Sequence, residues 1–156
     1  MKALRVAPLL LLLAFPSTAA DKGIVASEIL SCTERELPCG NSIESQLIEA
    51  SCVTTCGESA EVWRVHAFLQ TTLVTVTATS AAFDPRLDLI DPSGTLIDSN
   101  DSVGGTNAAQ ISRVLEPGSY LFRVVGQPAG ATGDYSLSLH CHSRCKWRRS
   151  MLWIGH

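Results

Sequence analysis

The chain has 156 residues, 46% of them hydrophobic, and a formal net charge of −3 at pH 7. This length fits one domain with a sizeable core. Residues 21–140 hold six Lys/Arg against fifteen Asp/Glu, whereas residues 141–156 hold four basic residues and no acid. The acidic body argues against nucleic acid as a partner, because neutralising phosphates requires a basic surface.

Residues 1–20 have the pattern of a secretory signal peptide. Lys2 and Arg5 precede an apolar run of leucines, and small residues follow it. We expect cleavage after Ala20, with cleavage after Ala19 as the alternative. A membrane anchor is the other interpretation, but the run is far shorter than the ~20 apolar residues that span a bilayer. We therefore predict a secreted protein, extracellular or periplasmic, with no membrane span.

Six cysteines follow the signal peptide, and an even number in an exported chain predicts three disulfides. They are Cys32, Cys39, Cys52, Cys56, Cys141 and Cys145. The simplest pairing joins neighbours in sequence: Cys32–Cys39, Cys52–Cys56 and Cys141–Cys145. A long link from Cys52 to Cys141 would stabilise more but needs distant strand ends to meet. A zinc site is a further alternative, since Cys141-His142-x-x-Cys145 is similar to half of one.

Residues 21–41 are predicted to be an irregular lead-in held by Cys32–Cys39. From residue 42 to residue 140, short runs alternate apolar and polar side chains between turn signals. Period two, β-branched residues and frequent turns predict an all-β fold, an antiparallel, jelly-roll-like β-sandwich of about seven to eight strands. Ser42–Ala50 alone is also compatible with a short helix.

The alternation assigns one face of each predicted strand to the core. The expected inward residues are Trp63, Val74, Val76, Leu87, Leu89, Phe122, Val124, Tyr135 and Leu137. On the opposite phase, His66 falls on a solvent-facing side with Arg64. A lone histidine in that position is more often a surface residue than a catalytic base.

Residues 83–101 contain the most informative motif. Two short apolar runs flank Asp91-Pro92-Ser93-Gly94. Asp at the first position, Pro at the second and Gly at the fourth favour a type I turn, so we predict a β-hairpin with acidic residues at its ends.

This hairpin resembles the signature of the bacterial pre-peptidase C-terminal domain family, which runs Phe-Asp-Thr, then Leu-x-Leu-x-Asp-Pro-x-Gly, then Asn-Asp-Asp. The similarity continues through Pro117-Gly118, an aromatic strand over residues 120–125, and the Gly-x-Tyr-x-Leu ending at Gly133. It covers roughly residues 42–140. The resemblance implies a β-sandwich module that accompanies secreted enzymes and has no catalytic activity of its own. The chain departs from the pattern at Pro85 and Arg86 and at Ser102.

The acidic hairpin rim is the candidate metal site. Hard cations such as calcium bind several carboxylate, amide and carbonyl oxygens. We predict calcium binding at Asp84, Asp98, Asn100 and Asp101. The alternative is that these side chains cap turns through local hydrogen bonds to the backbone.

Residues 141–156 form a basic tail with two cysteines and two tryptophans. Tryptophans among basic residues suit an anionic surface. The alternatives are a frayed terminus with no partner, or the remnant of a longer protein.

The sequence lacks a Gly-x-Ser-x-Gly elbow, a His-Glu-x-x-His motif and a phosphate-binding glycine loop. We therefore predict a secreted, non-catalytic accessory or binding module. Its expected partner is an extracellular protein, a polysaccharide or a cell-surface component, bound through one sheet face. The alternative is a small secreted hydrolase or peptidase inhibitor.

Overall fold

The computed structural model describes residues 32–49, 51–101 and 106–143. The predicted signal peptide, the first part of the lead-in and residues 144–156, with Cys145, lie outside these ranges. Within them every regular element is a strand. The ten strands are β1 Glu34–Glu36, β2 Ser42–Leu47, β3 Cys52–Val53, β4 Ser59–Phe68, β5 Thr72–Ser80, β6 Asp84–Ile90, β7 Leu96–Asn100, β8 Ala108–Leu115, β9 Gly118–Gln127 and β10 Gly133–Ser143.

The strands form two sheets that enclose one main core. The six-stranded sheet has the order β1-β4-β9-β6-β7, with β3 also paired to β4, and the four-stranded sheet has the order β2-β10-β5-β8. The pairing of β1 with β4 is parallel, and the other pairings are antiparallel. The predicted β-sandwich is confirmed. The strand number exceeds the expected seven to eight because of the short strands β1 and β3.

The core follows the predicted strand phase. All nine expected inward residues are buried, with exposures between 0% and 2%. Trp63, Phe122 and Leu89 lie side by side across β4, β9 and β6. Alternation identified these residues because a strand turns successive side chains to opposite faces of its sheet.

The predicted hairpin is formed by β6 and β7. Gly94 donates its N–H to the Asp91 carbonyl at 3.0 Å, and Gly94 has a φ of 82°. The Asp91 carboxylate accepts the backbone N–H groups of Ser93 and Thr95 at 2.8 and 2.9 Å. Burial acts to raise the pKa of Asp91, but these hydrogen bonds outweigh it and lower the pKa. Asp91 therefore caps its own turn.

The lead-in differs from its prediction. Residues Glu34–Glu36 form a regular strand that pairs with Val62–Arg64 of β4. The chain then crosses to the other sheet, where Gly40 donates to the Leu139 carbonyl and Leu139 donates to that of Asn41. The sandwich thus begins before residue 42, and β10 extends it to Ser143.

The predicted disulfide pairing was wrong. The disulfides are Cys32–Cys52 and Cys39–Cys141, and Cys56 is an exposed free thiol. Cys32 precedes β1 and Cys52 lies in β3, two strands that pair with the same edge of β4. The crossing at Gly40 brings Cys39 beside Cys141. Because Cys141 is already bonded to Cys39, neither the Cys141–Cys145 disulfide, nor the Cys52–Cys141 link, nor the zinc half-site is formed.

Candidate binding face

The four predicted calcium ligands do not converge. Asp98 lies opposite Leu89 and Asn100 opposite Leu87, whereas Asp84 begins β6. Asp84 is five residue steps along β6 from Leu89, the residue opposite Asp98, which corresponds to a distance of roughly 16 Å. Asp84 also has the opposite phase from Leu87 and Leu89, so it belongs to the other face of the sheet. One cation with ligands at about 2.5 Å cannot bind both carboxylates.

Asp98 has a protein partner instead of a second carboxylate. Arg113 Nη1 lies 3.0 Å from Asp98 Oδ2 and also donates to the Ile97 carbonyl at 3.0 Å. Across residues 32–49, 51–101 and 106–143, no group of three His, Cys, Asp or Glu side chains is arranged to hold a metal ion. A separate finding concerns the membrane. The part of the chain that the structure describes contains no apolar helix of membrane-spanning length.

The outer surface of the four-stranded sheet carries an ordered set of uncharged polar side chains. Every second residue of its strands faces outward. Register places Ser42, Ser138, Thr77 and Gln110 in one row across the sheet, and His140, Thr75 and Ser112 in the next. A third row contains Glu44, Ser136, Thr79 and Ala108. We call these eleven residues the hydroxyl face.

Hydrogen bonds hold the side chains of the hydroxyl face in place. The hydroxyl groups of Thr75 and Ser112 are 3.0 Å apart, and Gln110 Nε2 donates to Thr77 Oγ1 at 2.9 Å. Neighbouring rows are spaced about 6.7 Å along a strand, and neighbouring strands about 4.8 Å across the sheet. The face therefore presents hydrogen-bond donors and acceptors at regular intervals on a rigid support.

Charge is concentrated elsewhere on the molecule. Glu44 is the only carboxylate among these eleven residues, and Asp134 lies one row beyond them on β10, opposite Gln46. The five arginines in the described ranges all form ion pairs away from it. These pairs are Arg35–Glu61, Arg64–Glu34, Arg86–Glu58, Arg113–Asp98 and Arg123–Asp88. The hydroxyl face is thus suited to a ligand with many uncharged polar groups.

The outer side of the six-stranded sheet contains a charge network with a structural role. Arg123 donates to Asp88 Oδ2 from Nε and Nη2 at 3.0 and 2.9 Å, with both side chains buried. Arg86 donates to both Glu58 oxygens at 3.0 and 2.9 Å and lies 3.3 Å from Asp88. No buried side-chain N or O atom in the described ranges lacks a partner. The network is fully satisfied and offers no unused group to a ligand.

This network predicts an acid-sensitive contribution to stability. Burial acts to raise the pKa of Glu58, but the hydrogen bonds and charge of Arg86, aided by Gln127 and Thr54, lower it below the ordinary value of 4.5. A lowered pKa in the folded state stabilises the fold above about pH 4.5, and this stabilisation is lost as pH falls through the folded-state value. We expect Glu58→Gln to reduce the drop in melting temperature between pH 6 and pH 3.

The matched control for Glu58→Gln is Glu44→Gln, because Glu44 is exposed and lies on the other sheet. Its melting temperature should follow the wild-type dependence on pH. Equal pH dependence in wild type and Glu58→Gln, measured by thermal unfolding, would contradict the role given to Glu58.

A cleft of about 380 Å³ opens where β1 and β4 of one sheet face β2 of the other. It is lined by Cys32, Thr33, Arg35, Ile48, Ser51, Cys52, Ala60 and Glu61. Behind it the Glu61 carboxylate accepts hydrogen bonds from the Tyr135 hydroxyl and from Ser45 at 3.0 Å. Burial and the Glu61 carboxylate raise the pKa of Tyr135, so this phenol stays protonated and does not act as a base.

The sequence indicated which residues of a single strand belong to the hydroxyl face, but not which strands lie side by side to form it. The alternation of Thr75, Thr77 and Thr79 with buried residues was visible in the sequence. Ser138 and Ser112 could not be placed beside them, because alternation within one strand carries no information on which strands are neighbours.

The sequence matches no protein-family model and no curated protein. Among solved structures, the fold is similar to the pre-peptidase C-terminal domain of a Bacillus anthracis collagenase, with a TM-score of 0.56 and 15% identity over 69% of this chain and 95% of that domain. A periplasmic inhibitor of g-type lysozyme from Aeromonas hydrophila gives a TM-score of 0.47 and 14% identity over 70% of this chain and all of that one. The resemblance to pre-peptidase C-terminal domains is therefore confirmed at the level of fold.

Proposed function

We propose that this protein is an exported, non-catalytic module that binds a neutral polysaccharide through the hydroxyl face. The observation that carries the proposal is the regular set of uncharged hydroxyl and amide groups on the outer surface of the four-stranded sheet. A polysaccharide offers a matching series of hydroxyl groups. The two disulfides support export, because such bonds persist in oxidising compartments.

A polysaccharide fits the hydroxyl face better than a protein partner. Protein interfaces depend on a few buried anchors, most often Trp, Tyr or Arg. The hydroxyl face has none of these residue types. Each hydrogen bond to a sugar hydroxyl contributes only about 0.5–1.5 kcal/mol net, so we expect weak binding to each unit and useful affinity only along a polymer.

The enzymatic alternative gains no support from the side-chain geometry. Nucleophilic catalysis needs a nucleophile within hydrogen-bonding reach of a base. His66 has a carboxylate as its partner: its Nε2 lies 2.6 Å from Glu36 on the exposed side of β4, which agrees with its predicted surface position.

The proposal is tested by co-sedimentation of the purified protein with three insoluble neutral polysaccharides: cellulose, chitin and starch. We expect retention on at least one of them and several-fold weaker retention of the double variant Thr75→Val/Thr77→Val. Valine keeps the branched shape that suits a strand and removes only the hydroxyl group. Thr132→Val, in the exposed loop between β9 and β10, is the matched control and should bind as wild type does. A wild type that binds none of the three polymers, or equal binding by the double variant, would overturn the proposal.

Calcium binding at the hairpin rim, predicted for Asp84, Asp98, Asn100 and Asp101, stays a prediction, and Asp84 and Asp98 cannot bind the same ion. A cation that binds only the folded state adds about 2.7 kcal/mol at a hundredfold excess over its dissociation constant. Thermal melts with millimolar calcium and with chelator should then differ by several degrees, and Asp101→Ala should remove the difference. Equal melting temperatures of the wild type with calcium and with chelator would show that the rim carboxylates only cap turns and bind no calcium.

A further inference from the structure

The four edges of the two sheets differ in how they are protected. An edge strand presents unpaired backbone N–H and C=O groups that pair with another chain unless something blocks them. In the described ranges one sheet has an edge formed by β1 with β3 and an edge formed by β7, and the other sheet has the edges β2 and β8. Short length, charged side chains and bulges are the usual means of blocking.

Three of the four edges are blocked. β1 is three residues long, and all three are charged and exposed. β2 has the exposed carboxylate of Glu44 near its centre. β7 has a register shift that leaves Ile97 out of the ladder, and Arg113 covers the carbonyl of Ile97.

The remaining edge, β8, is neither short nor bulged and has a single charged side chain. It runs for eight residues without Pro, Gly or Lys and keeps an unbroken register with β5 from Thr72–Leu115 to Thr79–Ala108. Its one charged side chain, Arg113, is directed across to Asp98 of β7. The exposed residues Gln110, Ser112 and Val114 lie along the free side, with Val114 42% exposed.

The hydrogen-bonding phase of β8 shows which backbone groups are free. Ser80 donates its N–H to the Asn107 carbonyl at 3.1 Å. Because residues in an antiparallel ladder alternate between bonding to one side and to the other, Ile111 and Arg113 bond to β5. Gln110, Ser112 and Val114 therefore direct their N–H and C=O groups away from β5, on the side where none of the described strands pairs with β8.

We propose that β8 pairs antiparallel with β8 of a second copy about a two-fold axis at Ser112. Ser112 then faces its own counterpart, and Gln110 faces Val114 of the other copy, which gives about six backbone hydrogen bonds between the chains. Such a symmetric contact uses the same surface on both copies.

The charge distribution favours a second copy as the occupant. Two acidic molecules can approach closely only where no unpaired carboxylates meet. The free side of β8 consists of Ala, Gln, Ser and Val, and the Arg113 charge is offset by Asp98 within each copy. The axis stands perpendicular to the sheet, so the two hydroxyl faces become one continuous surface on an eight-stranded sheet. The pairing does not depend on what that surface binds.

Sedimentation velocity across a concentration series from ~5 to ~500 μM tests the proposal, and non-reducing gels of the same samples detect any disulfide-linked species. We expect a reversible, non-covalent dimer. Ser112→Pro should weaken it about tenfold or more, because proline removes the central N–H group at each copy without removing a bond to β5. Ser112→Thr retains the N–H group and should dimerise as wild type does.

Val114→Lys provides a second variant in case Ser112→Pro does not fold, since it adds a charge at the contact and leaves the backbone unchanged. It should also weaken the dimer, with a melting temperature close to that of wild type. A wild type that is monomeric over the whole series, a dimer that is wholly disulfide-linked, or dimers of unchanged affinity in the folded variants would overturn the proposal.

Discussion

Replacing Cys39 and Cys141 by serine in one variant should lower the free energy of unfolding by about 4.7 kcal/mol. The two cysteines are 102 residues apart in sequence. A cross-link over so long a segment removes much of the conformational freedom of the unfolded chain, and chain-entropy estimates for such loops give this magnitude. The disulfide also ties the crossing after β1 to β10, so its loss should loosen the margin of both sheets.

The matched control for this experiment is the double variant Cys32→Ser/Cys52→Ser. Its cysteines are 20 residues apart, for which the same estimate gives about 3.3 kcal/mol. Urea unfolding of the two variants and the wild type measures both losses. The structure predicts that the longer link contributes more. A smaller loss in Cys39→Ser/Cys141→Ser than in the control, or a peptide map that links Cys141 to Cys145, would contradict this arrangement.

Phe122→Ala should cost about 3–5 kcal/mol of stability. The Phe122 side chain is 0% exposed, in the central strand β9, with Trp63 and Leu89 on either side. Truncation removes the favourable transfer of the ring from water and leaves a cavity that two rigid sheets cannot close.

Leu69→Ala is the control for Phe122→Ala, since Leu69 is 96% exposed in the turn before β5. Surface substitutions of this kind change stability by at most about 0.5 kcal/mol. Chemical denaturation should therefore separate the two variants clearly. A loss below about 1 kcal/mol for Phe122→Ala would mean that the strand phase is misassigned.

Much of the fold was accessible from local sequence patterns. The turn at Asp91–Gly94 depends on the preferences of four consecutive residues. The inward side chains of β4, β5, β6, β9 and β10 depend on alternation within single strands. Both signals act over a few residues, so the sequence by itself determined the β-sandwich class, the hairpin and the membership of the core.

The neighbours of each strand were decided only by the tertiary structure. The expected pairing Cys52–Cys56 failed because β1 and β3 meet the same edge of β4, which no local pattern encodes. The predicted set of calcium ligands separated for a similar reason, since Asp98 meets Arg113 from β8. The hydrogen bond between Glu61 and Tyr135 joins residues 74 apart.

The hydroxyl face and the free edge at β8 were also decided only by the tertiary structure. Thr77 lies between Ser138 and Gln110 because β5 lies between β10 and β8. Period-two alternation is equally compatible with many strand orders, because it specifies which side of a sheet a residue occupies and not which strand lies beside it. Strand order is selected by the collective packing of two sheets around one core, and this selection places both the candidate binding face and the unprotected edge.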